Sequence, residues 1–144
     1  MWKKSYAKEI EGAPAAIWSL FCDVNSWKRW NAGVEEMEIF GPFAAGTEFR
    51  MKPPGQDPLT SRLLEVRTNE LFIDETRVDD LTVIVSHQIE ALTPQRCRVV
   101  FAIEAYGPGC DEVGPAVSAD FPAVLDALAE LVGRSPSSIP QQTT

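Results

Sequence analysis

From about residue 34 the chain alternates apolar and polar positions with period two, through EEMEIFG, TEFRMK, LTSRLLEV, ELFIDETRV, LTVIVSHQIEAL and RCRVVFAIEAY. Side chains along a strand point to opposite faces in turn, so this period predicts six strands. The links between them, GPFAAG, PPGQDP, RTN, DD and TPQ, are short and turn-like, which predicts antiparallel neighbours joined as a meander. Ahead of these, Lys4 to Glu11 reads as a first strand. GAPAAIWSLFCDV then changes to helical spacing, with Ile17, Leu20 and Phe21 at i, i+3 and i+4 and Pro14 in the first turn. NSWKRWN predicts a second short helix capped by Asn25 or Ser26, with Trp27 and Trp30 three apart.

After Tyr106, GPGCDEVGP is too rich in Gly and Pro to continue a strand and reads as irregular. SADFPAVLDALAELVG follows with Phe121, Val124, Leu125, Leu128, Leu131 and Val132 in one stripe, a terminal helix closed by Gly133. The last eleven residues, 134–144, are polar and aperiodic and predict a disordered tail, leaving 1–133 as one domain. The fold class is therefore α+β. A seven-stranded antiparallel sheet must cover its apolar face, and only the terminal helix is long enough to do so. A curved sheet around a helix leaves a space between them, which is where a ligand site belongs.

Register decides what faces that space. A turn at Asp79-Asp80 pairs Thr76 with Val83, Asp74 with Val85 and Phe72 with His87, while a link at Thr93-Pro94-Gln95 pairs His87 with Phe101 and Val85 with Ile103. A link at Thr68-Asn69-Glu70 adds Val66, Leu64 and Arg62 to the same face, and alternation brings Thr47, Phe49 and Met51. With Trp30 from the short helix and Leu125 from the terminal one, these make an apolar lining with Arg62, Asp74, Thr76 and His87 as its polar minority. The strand at 71–78 has two open phases: one turns Asp74 inward, the other turns Leu71 and Ile73 inward.

His87, the single histidine, shares a face with Val83, Val85 and Ile89. Three roles stay open for it: a hydrogen-bonded core group, an anchor for a ligand, or a general acid/base. Burial there disfavours the charged imidazolium. Arg62 with Asp74 has three readings: orienting a carboxylate or enolate of a ligand, an internal ion pair or, in the other strand phase, a solvated surface pair. Trp18 and Trp30 either stack on a planar ligand or cement helix to sheet.

Composition then removes classes. Acidic residues outnumber basic ones 21 to 13, for a net charge of −8, and the Lys and Arg residues are scattered, which argues against a nucleic-acid partner. No apolar run reaches membrane-spanning length, and MWKKSYAKEIEG lacks the apolar stretch of a signal peptide. Cys22, Cys97 and Cys110 are odd in number and unclustered, so a reducing, cytoplasmic setting is expected, with Cys22 and Cys97 as small core residues. One histidine and dispersed cysteines point to no metal site, and no glycine motif for a phosphate or dinucleotide occurs, so no cofactor is expected.

IEGAPAAIWSLFCDVNSWKRWN, GPFAAGTEFRM and DFPAVLDALAELV together resemble the START/Bet v 1-like (SRPBCC) superfamily, in particular its polyketide cyclase/dehydrase-like branch, over about residues 3 to 132. These are patterns of fold rather than of catalysis. The resemblance implies a helix-grip fold, a seven-stranded sheet around a long C-terminal helix with a hydrophobic cavity between them, and binding of lipids, sterols, polyketides or hormones. The leading expectation is a binder of a small hydrophobic molecule, aromatic ones included. The alternative is a cyclase or dehydratase with His87 moving a proton and Arg62 stabilising an enolate; a module acting through its surface is a third. Oligomeric state, monomer or homodimer, stays open.

Overall fold

The computed structural model describes residues 1–133; the tail for which disorder is predicted lies outside the described residues. Strand β1 (Trp2–Glu11) leads into α1 (Pro14–Cys22), a single 3-10 turn (Val24–Ser26) and the one-turn α2 (Trp27–Trp30). Six strands follow: β2 (Glu36–Ile39), β3 (Glu48–Lys52), β4 (Leu59–Arg67), β5 (Leu71–Val78), β6 (Leu81–Thr93) and β7 (Arg96–Tyr106). Two helical segments complete the described residues, α3 (Cys110–Ser118) and α4 (Phe121–Gly133), a long C-terminal helix bent at residues 119 and 120. The sheet is antiparallel in the order β1-β7-β6-β5-β4-β3-β2, so only β1 departs from a meander, by pairing with the last strand.

The β5–β6 and β6–β7 registers match those expected from the turns, including Asp74 opposite Val85, Phe72 opposite His87 and His87 opposite Phe101. This settles the phase of β5: Asp74 faces inward with Phe72 and Thr76. Asp79 takes a positive φ of 54° in the two-residue turn, a conformation that aspartate tolerates better than most residues.

β4 departs from expectation. A bulge between Leu63 and Glu65 inserts Leu64 as an unpaired residue and reverses the phase of everything before it. Leu63 and Ser61 turn inward and are buried, while Leu64 is 40% exposed and Arg62 is on the outer face opposite Glu48 and Glu75. The expected placement of Leu64 and Arg62 on the inner face is therefore corrected: alternation holds only until a bulge breaks it.

The second departure is α3, where CDEVGP folds as helix despite Gly114 and Pro115. Its buried residues Cys110, Gly114 and Ser118 are spaced by four, a narrow seam of small side chains that lets the helix lie close on the sheet. A Cβ on Gly114 would stand 2.1 Å from Cε3 of Trp2. The Ser118 hydroxyl donates to the Gly114 carbonyl at 2.9 Å, so its 2.9 Å contact with Tyr6 is one in which Tyr6 donates. Tertiary docking thus overrides poor local helix propensity. Gly114→Val is expected to destabilise the protein by about 1–3 kcal/mol, the cost of overpacking a tight contact. Urea unfolding should show a lower midpoint, with tryptophan fluorescence reporting the disturbed Trp2.

Both helical segments sit towards one side of the sheet: α4 packs on β1, α1 and α2, and α3 on β7 and β1. The inner face of β3 to β6 is left partly uncovered. Cys97 is buried in the core, as expected, but Cys22 is exposed at the end of α1, correcting its assignment to the core. No described helix is long and apolar enough to cross a membrane.

Candidate functional site

The uncovered strand faces and the bend between α3 and α4 enclose a cavity of about 620 Å³, within the range of small-molecule sites. Met51, Leu59, Val83 and Val85 form its apolar floor on the sheet, and Val113 and Phe121 face them from the helices. Val78 and Val117 lie at its rim, each about 40% exposed or more. The polar floor comes from three adjacent strands: Ser61 on β4, Asp74 and Thr76 on β5, and His87 on β6. Ser61 and Thr76 are register partners and share a hydrogen bond at 2.5 Å.

His87 is fixed by its neighbours. Its ring stacks on Phe72 at 3.9 Å between centroids and 8° between planes, and Phe101 meets it edge-on at 4.6 Å. Nδ1 donates to the Phe72 carbonyl at 3.3 Å, which leaves Nε2 as an acceptor without a protein partner among the described residues. Burial pushes the imidazole down to a pKa of about 3, with the Phe72 carbonyl opposing the shift, so the ring is neutral at physiological pH.

Asp74 lies with its Oδ2 3.8 Å from His87 Nδ1, too far for a hydrogen bond. Its side chain is 13% exposed, and no described group hydrogen-bonds to it. Burial without compensation raises its pKa to about 7. The two groups are therefore not an ion pair, because each is driven towards its uncharged form. Asp120, at the helix bend, also lines the cavity, and burial raises its pKa too.

Of the lining expected from sequence, Phe49, Met51, Asp74, Thr76, Val85 and His87 come together around this space. Phe72 and Phe101 do not line it; they are fully buried beneath the imidazole and hold its orientation. Leu125 is buried in α4, away from the cavity. Trp30 belongs to the core, where its indole N–H donates to Ser26 Oγ at 3.2 Å. The Ser26 hydroxyl in turn contacts the Leu20 and Asp23 carbonyls instead of capping α2. Arg62 and Leu64, turned outward by the bulge, cannot reach the space.

Trp27 takes the position expected of Trp30. It faces the cavity with its N–H donated to the Phe21 carbonyl at 2.9 Å and its ring stacked near Phe72. The pair of tryptophans was visible in sequence, but three-residue spacing alone does not say which one faces the sheet. Ser61 was hidden by the bulge, and Val113 and Asp120 by the misread start of the C-terminal helix.

A sheet curved around a bent terminal helix, with two short helices after the first strand and a hollow between the layers, defines the helix-grip class. The chain belongs to the family described as polyketide cyclase / dehydrase and lipid transport, whose model matches residues 1–133. Solved structures agree in fold. Norcoclaurine synthase from Thalictrum flavum is 16% identical with a TM-score of 0.73, over 93% of this chain and 87% of that one. A Mesorhizobium loti protein reaches 0.79 at 15% identity, covering 93% and 98% of the two chains. A Thermobifida fusca protein reaches 0.76 at 22% identity, covering 93% and 95%. Among curated proteins none matches.

Proposed function

We propose that the protein binds a small hydrophobic molecule in the cavity between the sheet and the C-terminal helix, with the ligand's polar end on Asp74 and His87. The observation that carries this reading is a hollow of about 620 Å³ whose apolar walls surround the largely buried Asp74 carboxyl and His87 Nε2, neither of which has a hydrogen-bond partner among the described residues. Such groups are costly unless something completes their hydrogen bonding. Family membership accords with it. One structurally similar protein, norcoclaurine synthase, has been seen with dopamine and hydroxybenzaldehyde, so this architecture accommodates aromatic molecules in at least one case. The free thiols Cys22, Cys97 and Cys110 suit a reducing cytoplasm.

Nile red, an uncharged polarity-sensitive dye, tests the reading. It is expected to bind and brighten, and Val83→Trp, which fills the floor, should weaken binding by tenfold or more. Arg62→Ala on the outer face should leave binding unchanged. Equal affinity in Val83→Trp would remove the cavity from consideration. Native mass spectrometry of protein as purified should identify any retained ligand.

A second reading, proton-transfer catalysis on a polyketide-like substrate, is favoured by Asp74, whose pKa near 7 suits a group that gives and takes protons at neutral pH. His87 is the weaker candidate for this work because its pKa lies far below the working range. For an enzyme, Asp74→Asn should remove turnover while sparing affinity.

A further inference from the structure

We propose that the cavity prefers a ligand whose polar end donates hydrogen bonds and carries no negative charge, a protonated amine above a hydroxyl, and that it discriminates against carboxylates. This rests on the binding reading above and adds the chemical class of the ligand's polar end. The support is a census of the groups that face the space. Its ionisable lining residues are Asp74 on β5, His87 on β6, Glu112 on α3 and Asp120 at the helix bend; no lysine or arginine is among the described lining residues.

The side-chain donors are few, and three of their hydrogens are already engaged. The indole N–H of Trp27 is given to the Phe21 carbonyl and Nδ1 of His87 to the Phe72 carbonyl. Ser61 and Thr76 satisfy each other with one of their two hydroxyl hydrogens. The Asn31 carboxamide oxygen accepts from the Gly33 N–H, leaving its NH2, with that of Gln56, as the remaining amide donors. Acceptors outnumber these: Nε2 of His87 and the carboxyl oxygens of Asp74, Asp120 and Glu112.

A carboxylate ligand would enter this low-dielectric space with no cation to meet it and with like charge nearby, a costly desolvation. An ammonium group supplies several N–H donors, holds Asp74 in its ionised form and can rest against the aromatic faces of Trp27, Phe49 and Phe121. A hydroxyl supplies one donor to Nε2 or to Asp74 and needs no counter-charge.

Three ligands with one skeleton test the inference: 4-phenylbutan-1-amine, 4-phenylbutan-1-ol and 4-phenylbutanoic acid, each competed against Nile red at pH 7.5. The amine is expected to bind at least tenfold more tightly than the acid, with the alcohol between them. In Asp74→Asn the amine-to-acid ratio should shrink several-fold. Val83→Trp should suppress all three, which separates cavity binding from attraction of cations to an acidic surface. If the acid matches or exceeds the amine, or if the ratio is unchanged in both Asp74→Asn and Asp120→Asn, the inference is overturned. If Nile red and all three compounds fail to bind, it is the cavity reading itself that falls.

Discussion

Asp74→Asn is expected to make the protein more stable than the parent at pH 8, and the gain should vanish near pH 4. The carboxyl has an ordinary pKa of 3.8 in the unfolded chain and about 7 in the fold. Between these values the native state holds a proton that the unfolded state has lost, so the parent's stability falls as pH rises. Three pH units of such linkage amount to about 4 kcal/mol, fully expressed above pH 7 and absent below the unfolded value. His87 acts with the opposite sign: ordinarily 6.5 and lowered to about 3 in the fold, it makes stability fall as pH drops from 6.5 towards 3. From about pH 4 to 6.5 the two slopes oppose each other, so the parent's own profile hides both and only the variant exposes them. Urea midpoints for parent and Asp74→Asn at pH 4.5, 6 and 8 should diverge steadily. A constant difference across that range would mean that Asp74 is solvated and not held in a dry site.

The meander of β2 to β7, both hairpin registers around β6 and the inward lean of His87 were legible because each follows from a local signal, whereas the pairing of β1 with β7 has no such signal. Val83, Val85, His87 and Ile89 recur with period two, and the two-residue turn at Asp79-Asp80 fixes which partner each one meets. Where sequence reasoning failed, a non-local contact had overruled the local pattern. Leu63 and Leu64 are adjacent leucines, and nothing in the period says which one turns inward. The clue was Arg62: one phase puts an arginine on an apolar face, whereas the observed phase puts Leu59, Ser61 and Leu63 there. In α3 the clue was the four-residue spacing of Cys110, Gly114 and Ser118, a docking seam masked by the helix-breaking reputation of Gly-Pro. The apolar part of the cavity could be read from pattern, but its closure by α3 and the bend could not.

Phe72→Ala is expected to destabilise the protein by about 3–5 kcal/mol, the usual cost of emptying a large, fully buried aromatic site. Its ring is at the junction of the aromatic core, edge-on to Phe21 at 5.1 Å and Phe43 at 5.2 Å and stacked beneath His87. Its neighbours Phe21, Trp27, Phe43 and His87 are bulky rings held by contacts of their own, which limits how far they can collapse into the hole. Leu64→Ala makes the informative comparison. Both residues were expected on the inner face, yet Leu64 is 40% exposed beyond the bulge, so its loss should change stability by no more than about 0.5 kcal/mol. Phe72→Leu should recover much of the stability lost in Phe72→Ala by refilling volume, but it removes the flat surface on which the imidazole rests. Its Nile red affinity should then fall further than its unfolding midpoint alone would imply. Should Phe72→Leu bind as the parent does, Phe72 only fills space, and the orientation of His87 is set by the backbone carbonyl contact alone.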